Sequence, residues 1–254
     1  MGKGKRGQAT FSEKGSLTPF FAPCLLLALA CSAPPQEARF IPAHAATIPV
    51  PREGRWIERH EQINAQVREH PPDLVFIGDS ITQGWESAGK EEWDRRYAPR
   101  NAANLGISGD RTQHVLWRLD HGNLEGITPK VAVVMIGTNN SGDDRPERIA
   151  DGIEAIVKNL RAFLPRARIL LLAIFPRGED ASDARRRTNE ETNRRIAGLA
   201  DGKWIHFLDI GSRFTRPDGT ISRDVMPDLL HLSPAGYAIW GEAMEPTLAR
   251  LLRE

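Results

Sequence analysis

A serine hydroxyl follows the first strongly apolar run of the chain. The run Leu74–Ile77 ends in Gly78-Asp79-Ser80, and the segment after Ser80 has a helical pattern. A serine at a turn from strand to helix is exposed, and backbone N–H groups near it can point at the group that it attacks. The same turn is also compatible with Ser80 as a simple helix cap. Taken alone, it leaves both interpretations open.

Two later segments offer hydrogen-bond donors for a developing negative charge. Gly109 lies in a glycine-rich segment after a short candidate strand, and it can present an unshielded backbone N–H. Asn139 follows another apolar run, and its side-chain amide can also donate. In a parallel sheet such strand ends meet at one edge. We therefore expect Gly109 and Asn139 near Ser80, where they could stabilise an oxyanion.

A carboxylate and an imidazole lie close together after the last apolar run. Asp228 and His231 are three residues apart, so the carboxylate can orient the imidazole while its Nε2 faces Ser80. Ser233 and Pro234 are typical of an N-cap and first helical residue, which places the pair on the loop before the final helix. Alone, His231 would be read as a core histidine and Asp228 as a helix-entry residue. With Ser80 they indicate acyl transfer.

The composition argues against several other classes of protein. The 254 residues carry 34 Lys and Arg against 33 Asp and Glu, which is too nearly neutral for a nucleic-acid binder. A mean hydropathy of -0.41 argues against a multi-span membrane protein. Two cysteines cannot staple a disulfide scaffold, and no Cys/His cluster has the spacing of a zinc site. We expect no metal and no cofactor.

Apolar runs without alternation predict strands that are buried on both faces, with helices between them. The predicted strands are Leu74–Ile77, Val131–Ile136, Ile169–Ile174 and Trp204–Leu208. The first predicted helix begins at Arg55 and ends before Pro71-Pro72. The other predicted helices are Gln113–Leu119, Glu147–Leu164, Ala184–Leu199 and Pro234–Leu252. This order predicts an α/β domain over residues 55–254, in which helices cover both faces of a parallel sheet in three α/β/α layers.

A run of arginines, Arg185-Arg186-Arg187, stands out in the fourth of these helical stretches. Glu190 and Glu191 follow it closely. Interleaved charges of both signs on a helix favour a solvated face over a site for polyanions.

Residues 1–30 have the pattern of a secretory signal peptide. Basic residues precede an apolar stretch, Phe20–Ala30, that is too short to cross a bilayer. Cys31 follows in a context similar to a lipoprotein box, although Ala28 stands where that box usually has leucine. We expect export, to the periplasm, the envelope or the medium, and leave open simple cleavage, lipid attachment at Cys31, or a disordered tail. The proline-rich residues 31–54 predict an extended linker.

Taken together, these segments resemble the SGNH (GDSL-type) serine esterases, whose four sequence blocks occur here in order. The similarity is greater still to the catalytic subunits of the brain-type intracellular platelet-activating-factor acetylhydrolases, at Gly109-Asp110, His114–Leu119, Ile136–Asn140, Pro176–Glu179 and His231-Leu232. It covers roughly residues 73–252 and implies a flavodoxin-like fold.

The resemblance also implies roles for individual residues. Ser80 would be the nucleophile, His231 the base and Asp228 its orienting carboxylate. The N–H groups of Ser80 and Gly109 and the amide of Asn139 would form the oxyanion hole. The resembled subunits form dimers, so a homodimer is an expectation as well. They are cytosolic and lack a leader, so the identity of the substrate does not transfer with the site.

These observations lead to a serine esterase that removes short acyl groups, most simply acetyl, from oxygen esters through an acyl-enzyme. Its expected substrates are O-acetylated glycans or small acetyl esters. A lysophospholipase or thioesterase with a preference for longer acyl chains stays open as an alternative. So does an inactive surface module that binds carbohydrate.

Overall fold

Five short strands form one parallel sheet at the centre of the domain. The computed structural model describes Met1 and residues 42–254, so the predicted signal peptide, Cys31 and the start of the predicted linker lie outside the described residues. The strands are β1 (Leu74–Gly78), β2 (Ala102–Asn104), β3 (Val131–Met135), β4 (Arg168–Leu172) and β5 (Ile205–Leu208). Their order is β2-β1-β3-β4-β5, which is the flavodoxin-like order.

Helices cover both faces of this sheet, as the sequence predicts. They are α1 (Arg55–Glu69), α2 (Ser80–Gln83), α3 (Lys90–Arg96), α4 (Thr112–Arg118), α5 (Pro146–Phe163), α6 (Ala184–Ile196) and α7 (Pro234–Arg253). Side chains of α1, α4, α5 and α6 pack on one face, and those of α2, α3 and α7 pack on the other. The three-layer α/β/α prediction is confirmed. Among residues 42–254, no helix is long and apolar enough to cross a bilayer.

The two layers of core explain why the strand runs lack polar alternation. Val75 and Ile77 point into one core and Leu74 and Phe76 into the other, and all four are at most 1% exposed. Burial of such a side chain contributes about 1.5–3 kcal/mol. A polar residue on either face would forgo this gain, so β1 is apolar throughout.

An aromatic cluster fixes α7 to the turn after β1. The Trp85 and Tyr237 rings lie 4.6 Å apart and the Trp85 and Trp240 rings 4.9 Å apart, and all three side chains are buried. Tyr237 Oη donates to the carbonyl oxygen of Ile81 at 2.6 Å. Ser233 caps α7, because its Oγ accepts from the Gly236 N–H. The element that follows the Asp228–His231 loop is thus anchored beside Ser80.

Residues 42–54, here called the strap, have no helix or strand yet are bound to the domain. Ala46 is fully buried, and its carbonyl oxygen accepts from Thr112 Oγ1 at 2.8 Å. The Val50 N–H donates to the carbonyl oxygen of Gln113 at 3.2 Å. The prediction that the linker extends to residue 54 is therefore wrong for the strap. Proline content indicates an extended backbone, but it does not show whether that backbone docks.

Candidate active site

The serine, imidazole and carboxylate singled out in the sequence form one hydrogen-bonded chain. Ser80 Oγ lies 2.9 Å from Nε2 of His231, and Nδ1 of His231 lies 2.6 Å from Oδ2 of Asp228. Ser80 begins α2 at the carboxyl end of β1, and the other two lie on the loop before α7. This geometry allows the imidazole to take the hydroxyl proton while the carboxylate holds its other nitrogen.

The loop that carries the imidazole is folded around the Asp228 carboxylate. Oδ1 of Asp228 accepts from the N–H groups of Leu230 at 3.0 Å and His231 at 2.7 Å. Leu229, which directly follows Asp228, has φ +62°, in the left-handed region. Partial burial raises the pKa of Asp228, but the hydrogen bonds from His231 and the backbone hold it below its usual range. The carboxylate thus stays charged beside the imidazole.

In the turn after β1, the helix cap is Asp79 and not Ser80. Asp79 occupies the N-cap position of α2, and its Oδ1 accepts from the Ile81 N–H at 3.0 Å. Ser80 is the first helical residue, so its hydroxyl is left to contact His231. Asp79 is fully buried, and its Oδ2 has no hydrogen-bond partner among the described residues. Burial raises the pKa of this carboxyl to about 7.

The two predicted oxyanion donors are brought to one place by a hydrogen bond. Gly109 has φ +77°, a conformation that favours glycine. Asn139 Nδ2 donates to the carbonyl oxygen of the next residue, Asp110, at 2.8 Å. Its amide carries a second N–H for another acceptor. Asn140 is buried instead, and its Oδ1 accepts from the Thr112 N–H. The structure thus separates the site-facing asparagine from the structural one.

A buried ion pair supports the Gly109 loop from inside the domain. Arg118 Nε donates to Asp110 Oδ2 at 2.9 Å, and neither side chain is exposed. Trp56 Nε1 donates to the other carboxylate oxygen at 2.6 Å. Burial raises the pKa of Asp110, while Arg118 and Trp56 act against that rise. Arg118, whose role the sequence leaves undecided, therefore holds the loop and does not reach its outer surface.

Arg52 of the strap holds the same loop from outside. Its Nη1 donates to the carbonyl oxygen of Ser108 at 2.9 Å and lies 3.7 Å from Asp110 Oδ1. A Cβ on Gly109 would lie 3.0 Å from that Nη1, so the guanidinium covers the glycine closely. Sequence reasoning missed Arg52 because it lies in a segment without periodicity. An arginine within a proline-rich stretch is the only signal there.

A cavity of about 310 Å³ opens beside Gly109 and Asn139, the two predicted oxyanion donors. Its lining residues are Gly109, Arg111, Thr138, Asn139, Gly142, Asp143, Arg177, Arg185 and Leu230. We call this site the arginine cavity. Three guanidinium groups reach it, from the start of α4, the loop after β4 and the first turn of α6. Sequence reasoning assigned none of these arginines to the site.

The arginine run of α6 departs from the predicted solvated face. Arg186 is buried; its Nη1 donates to the carbonyl oxygen of Gly219 at 2.8 Å, and its Nε donates to Glu190 at 3.1 Å. Arg185 lines the arginine cavity, and Arg187 is exposed. The prediction is wrong for Arg186, because charge spacing along a helix does not reveal which turn packs against a neighbouring loop.

The histidine after the Gly109 loop has a structural contact. His114 Nδ1 accepts from the Arg111 N–H at 3.0 Å and so helps to cap α4. Burial, followed by nearby arginines, lowers the pKa of His114 to about 4, so it is neutral at physiological pH. Within residues 42–254, no group of three His, Cys, Asp or Glu side chains is arranged to hold a metal ion.

Comparisons with known proteins show to which family the chain is similar. Residues 76–239 match the model of the GDSL-like lipase/acylhydrolase family. The chain is 41% identical over 202 residues to the platelet-activating factor acetylhydrolase IB subunit alpha1 of Homo sapiens, and the match covers 80% of this chain and 86% of that protein.

Solved structures show the same fold at lower identity. A GDSL-like lipase from Bacteroides thetaiotaomicron has a TM-score of 0.62 at 20% identity, and the match covers 76% of this chain and 97% of that chain. A carbohydrate acetylesterase from Sinorhizobium meliloti has a TM-score of 0.57 at 19% identity, with 71% and 99% covered. At these identities the likeness is one of architecture.

Proposed function

This chain belongs to the GDSL-like lipase/acylhydrolase family and is a carboxylester hydrolase, and on that premise we propose that it removes acetyl groups from oxygen esters with Ser80 as nucleophile. The observation that carries the proposal is the hydrogen-bonded chain from Ser80 through His231 to Asp228. A neutral serine hydroxyl is a weak nucleophile, and a neighbouring imidazole is the group that activates it.

In the first half of the reaction, Ser80 Oγ attacks the ester carbonyl carbon as its proton passes to Nε2 of His231. Asp228 stabilises the imidazolium that results. The N–H groups of Ser80 and Gly109 and the amide of Asn139 donate to the carbonyl oxygen as it becomes negative. One such donor contributes about 3 kcal/mol to transition-state stabilisation. The bond to the alcohol then breaks, and the imidazolium returns its proton to the leaving oxygen.

In the second half, water attacks the acyl-enzyme carbonyl. His231 takes a proton from this water, and the same donors stabilise the second oxyanion. Cleavage of the bond to Ser80 Oγ releases the carboxylic acid, and the proton on His231 returns to Ser80. No cofactor enters these steps.

A short acyl group is supported because the arginine cavity, which lies beside the proposed oxyanion donors, offers no binding surface for a long acyl chain. Leu230 is the only large apolar residue among the described residues around this cavity. An acyl chain of many carbons gains its binding energy from apolar surface, at about 25 cal/mol per Å² buried. A charged lining does not provide that gain. The name of the human relative, an acetylhydrolase, supports the same preference.

The test uses a chromogenic acetate ester and a series of esters with longer acyl chains. We expect Ser80→Ala to lower kcat by about 10³-fold or more. Ser87→Ala is the matched control, because Ser87 is an exposed serine close to Ser80 in sequence and, among the described residues, its Oγ donates only to the carbonyl oxygen of Gly84. An unchanged rate for Ser80→Ala would refute the proposed nucleophile. Faster turnover of long-chain than of acetyl esters would favour a lysophospholipase or thioesterase.

We also propose that the protein is exported, a proposal supported by the sequence pattern of residues 1–30 alone. Fractionation of cells that express the full chain tests it, with intact mass measurement of the recovered protein. If the leader is lost and Cys31 carries an acyl adduct that the Cys31→Ala variant does not carry, the protein is a lipoprotein. Loss without an adduct would identify simple cleavage, and a full-length protein in the cytosol would refute export.

A further inference from the structure

Positive charge in the arginine cavity exceeds negative charge. Arg111 forms an ion pair with Asp143 at the rim. Neither Arg177 nor Arg185 lies within ion-pair distance of a carboxylate among the described residues. Most other arginines of α6 have such a partner, as Arg194 does with Glu191. Two guanidinium groups thus line the same small volume without an ion-paired carboxylate among the described residues, although Asp183, Asp79 and Asp228 favour the charge of Arg177 from farther away.

Arg177 is held at the wall of the cavity by hydrogen bonds to Thr138. Its Nη1 donates to the carbonyl oxygen and to Oγ1 of Thr138, at 3.3 and 3.2 Å. The side chain is half-buried, and desolvation together with the nearby Arg185 lowers its pKa from the ordinary value. An arginine whose charge is made costly by its surroundings gains more from an added anion than a solvated one does.

Arg185 reaches the cavity over a glycine. A Cβ on Gly142 would lie 3.3 Å from both Nε and Nη2 of Arg185, so the absence of a side chain leaves room for the guanidinium. The same cavity is lined by Gly109 and Asn139, the proposed oxyanion donors. A group bound between the two arginines would therefore be part of the molecule whose ester bond is cleaved.

We propose that the arginine cavity is a subsite for an anionic group, a phosphate or a carboxylate, on the alcohol portion of the ester substrate, bound by Arg177 and Arg185. This inference rests on the proposed function, since it assigns the substrate of the same site. An acetyl group carries no charge, so the anion belongs to the leaving alcohol. A planar guanidinium can donate two parallel hydrogen bonds to either kind of oxyanion.

The kinetic test compares matched acetyl esters that differ in one charged group. One pair is acetylglycerol phosphate and glycerol monoacetate, and the other is O-acetylated glucuronate and O-acetylated glucose. We expect kcat/KM at low salt to be at least about tenfold higher for one or both anionic esters, mainly through KM. The pair with the larger ratio identifies the anion. Arg177→Gln with Arg185→Gln should bring the ratio close to one, while hydrolysis of the neutral esters persists.

The control variant is Arg194→Gln, in the last turn of the same helix and paired with Glu191. It should leave the charge preference unchanged. A wild-type ratio near one for both pairs, with normal hydrolysis of the neutral esters, would overturn the subsite and leave the esterase proposal intact. Absence of Ser80-dependent hydrolysis of any ester would instead count against the proposed function.

A binding measurement tests the subsite without catalysis. Titration calorimetry of Ser80→Ala with acetylglycerol phosphate and O-acetylated glucuronate should show affinity at least about tenfold above that for the neutral partners. Adding Arg177→Gln and Arg185→Gln should remove the difference. Equal affinity in both backgrounds would overturn the proposal, whatever the rate of hydrolysis.

Discussion

Arg118 and Asp110 form an ion pair with no solvent exposure, one residue away from the glycine whose N–H is a proposed oxyanion donor. Arg118 Nε is 2.9 Å from Asp110 Oδ2. The same arginine donates through Nη2 to the carbonyl oxygen of Gly78, at the end of β1. It therefore links the loop of the oxyanion donor to the strand that leads to Ser80.

Arg118→Met should destabilise the fold. The substitution leaves the buried Asp110 carboxylate without its hydrogen-bonded charge partner and with only Arg52, 3.7 Å away, as a nearby cation, and breaking a buried pair costs about 3–5 kcal/mol. The free energy of unfolding from urea titration measures this. Adding Asp110→Asn removes the stranded charge and should restore part of the loss, because the amide oxygen can still accept from Trp56. A loss below about 1 kcal/mol in Arg118→Met would show that the pair contributes little.

Asp228→Asn should lower kcat by about 10³–10⁴ with little change in KM. The amide cannot stabilise the imidazolium and favours the wrong imidazole tautomer. Steady-state kinetics on an acetate ester measure the effect. Asp224→Asn, in the same loop region, is the matched control and should keep most of the activity. A decrease of less than about tenfold in Asp228→Asn would contradict the proposed role.

Asp79→Asn should stabilise the protein at neutral pH and not in acid. The folded pKa of Asp79, about 7, lies above the ordinary value of 3.8. The folded state therefore holds this proton more tightly than the unfolded state, and the group's contribution to stability is present below about pH 4 and is lost as pH rises to about 7. Asparagine has no such proton, and its oxygen can still accept from Ile81.

The free energy of unfolding of Asp79→Asn should therefore exceed that of wild type by an amount that grows between pH 4 and 7. Above pH 7 this difference should level off at no more than about 4 kcal/mol. Urea titrations at several pH values measure it. Asp94→Asn removes an exposed carboxylate and is the control, because its difference in unfolding free energy from wild type should not change with pH to a comparable extent. A difference that is independent of pH would show that folding does not raise the pKa of Asp79.

Arg52→Gln should lower kcat by roughly tenfold with a smaller effect on KM, since the strap then no longer holds the Ser108 carbonyl beside Gly109. Arg52→Lys keeps the charge and one donor and should retain more activity. Arg55→Gln, an exposed change at the start of α1, is the control. Wild-type kcat in Arg52→Gln would mean that the loop holds its position without the strap.

The elements that position the site were predictable because their signals are local. Buried runs such as Leu74–Gly78 follow from the need to fill a core on both faces, and Ser233-Pro234 marks the start of α7 through cap chemistry. The contacts that tune the site were not predictable. Arg52, Arg177 and Arg185 reach it from loops or a helix turn, and their partners lie far away in sequence. No periodicity encodes such pairings.

The strap and the carboxyl terminus lie at different edges of the sheet, which matters for attaching the domain to a surface. Arg52 places the strap beside the catalytic edge of the sheet. Glu254, after α7, instead lies 3.3 Å from Arg168, the first residue of β4, at the opposite edge. A surface linked through the carboxyl terminus would therefore hold the esterase with its active site facing outward. A bulky group inserted next to Arg52 would instead lie at the catalytic edge.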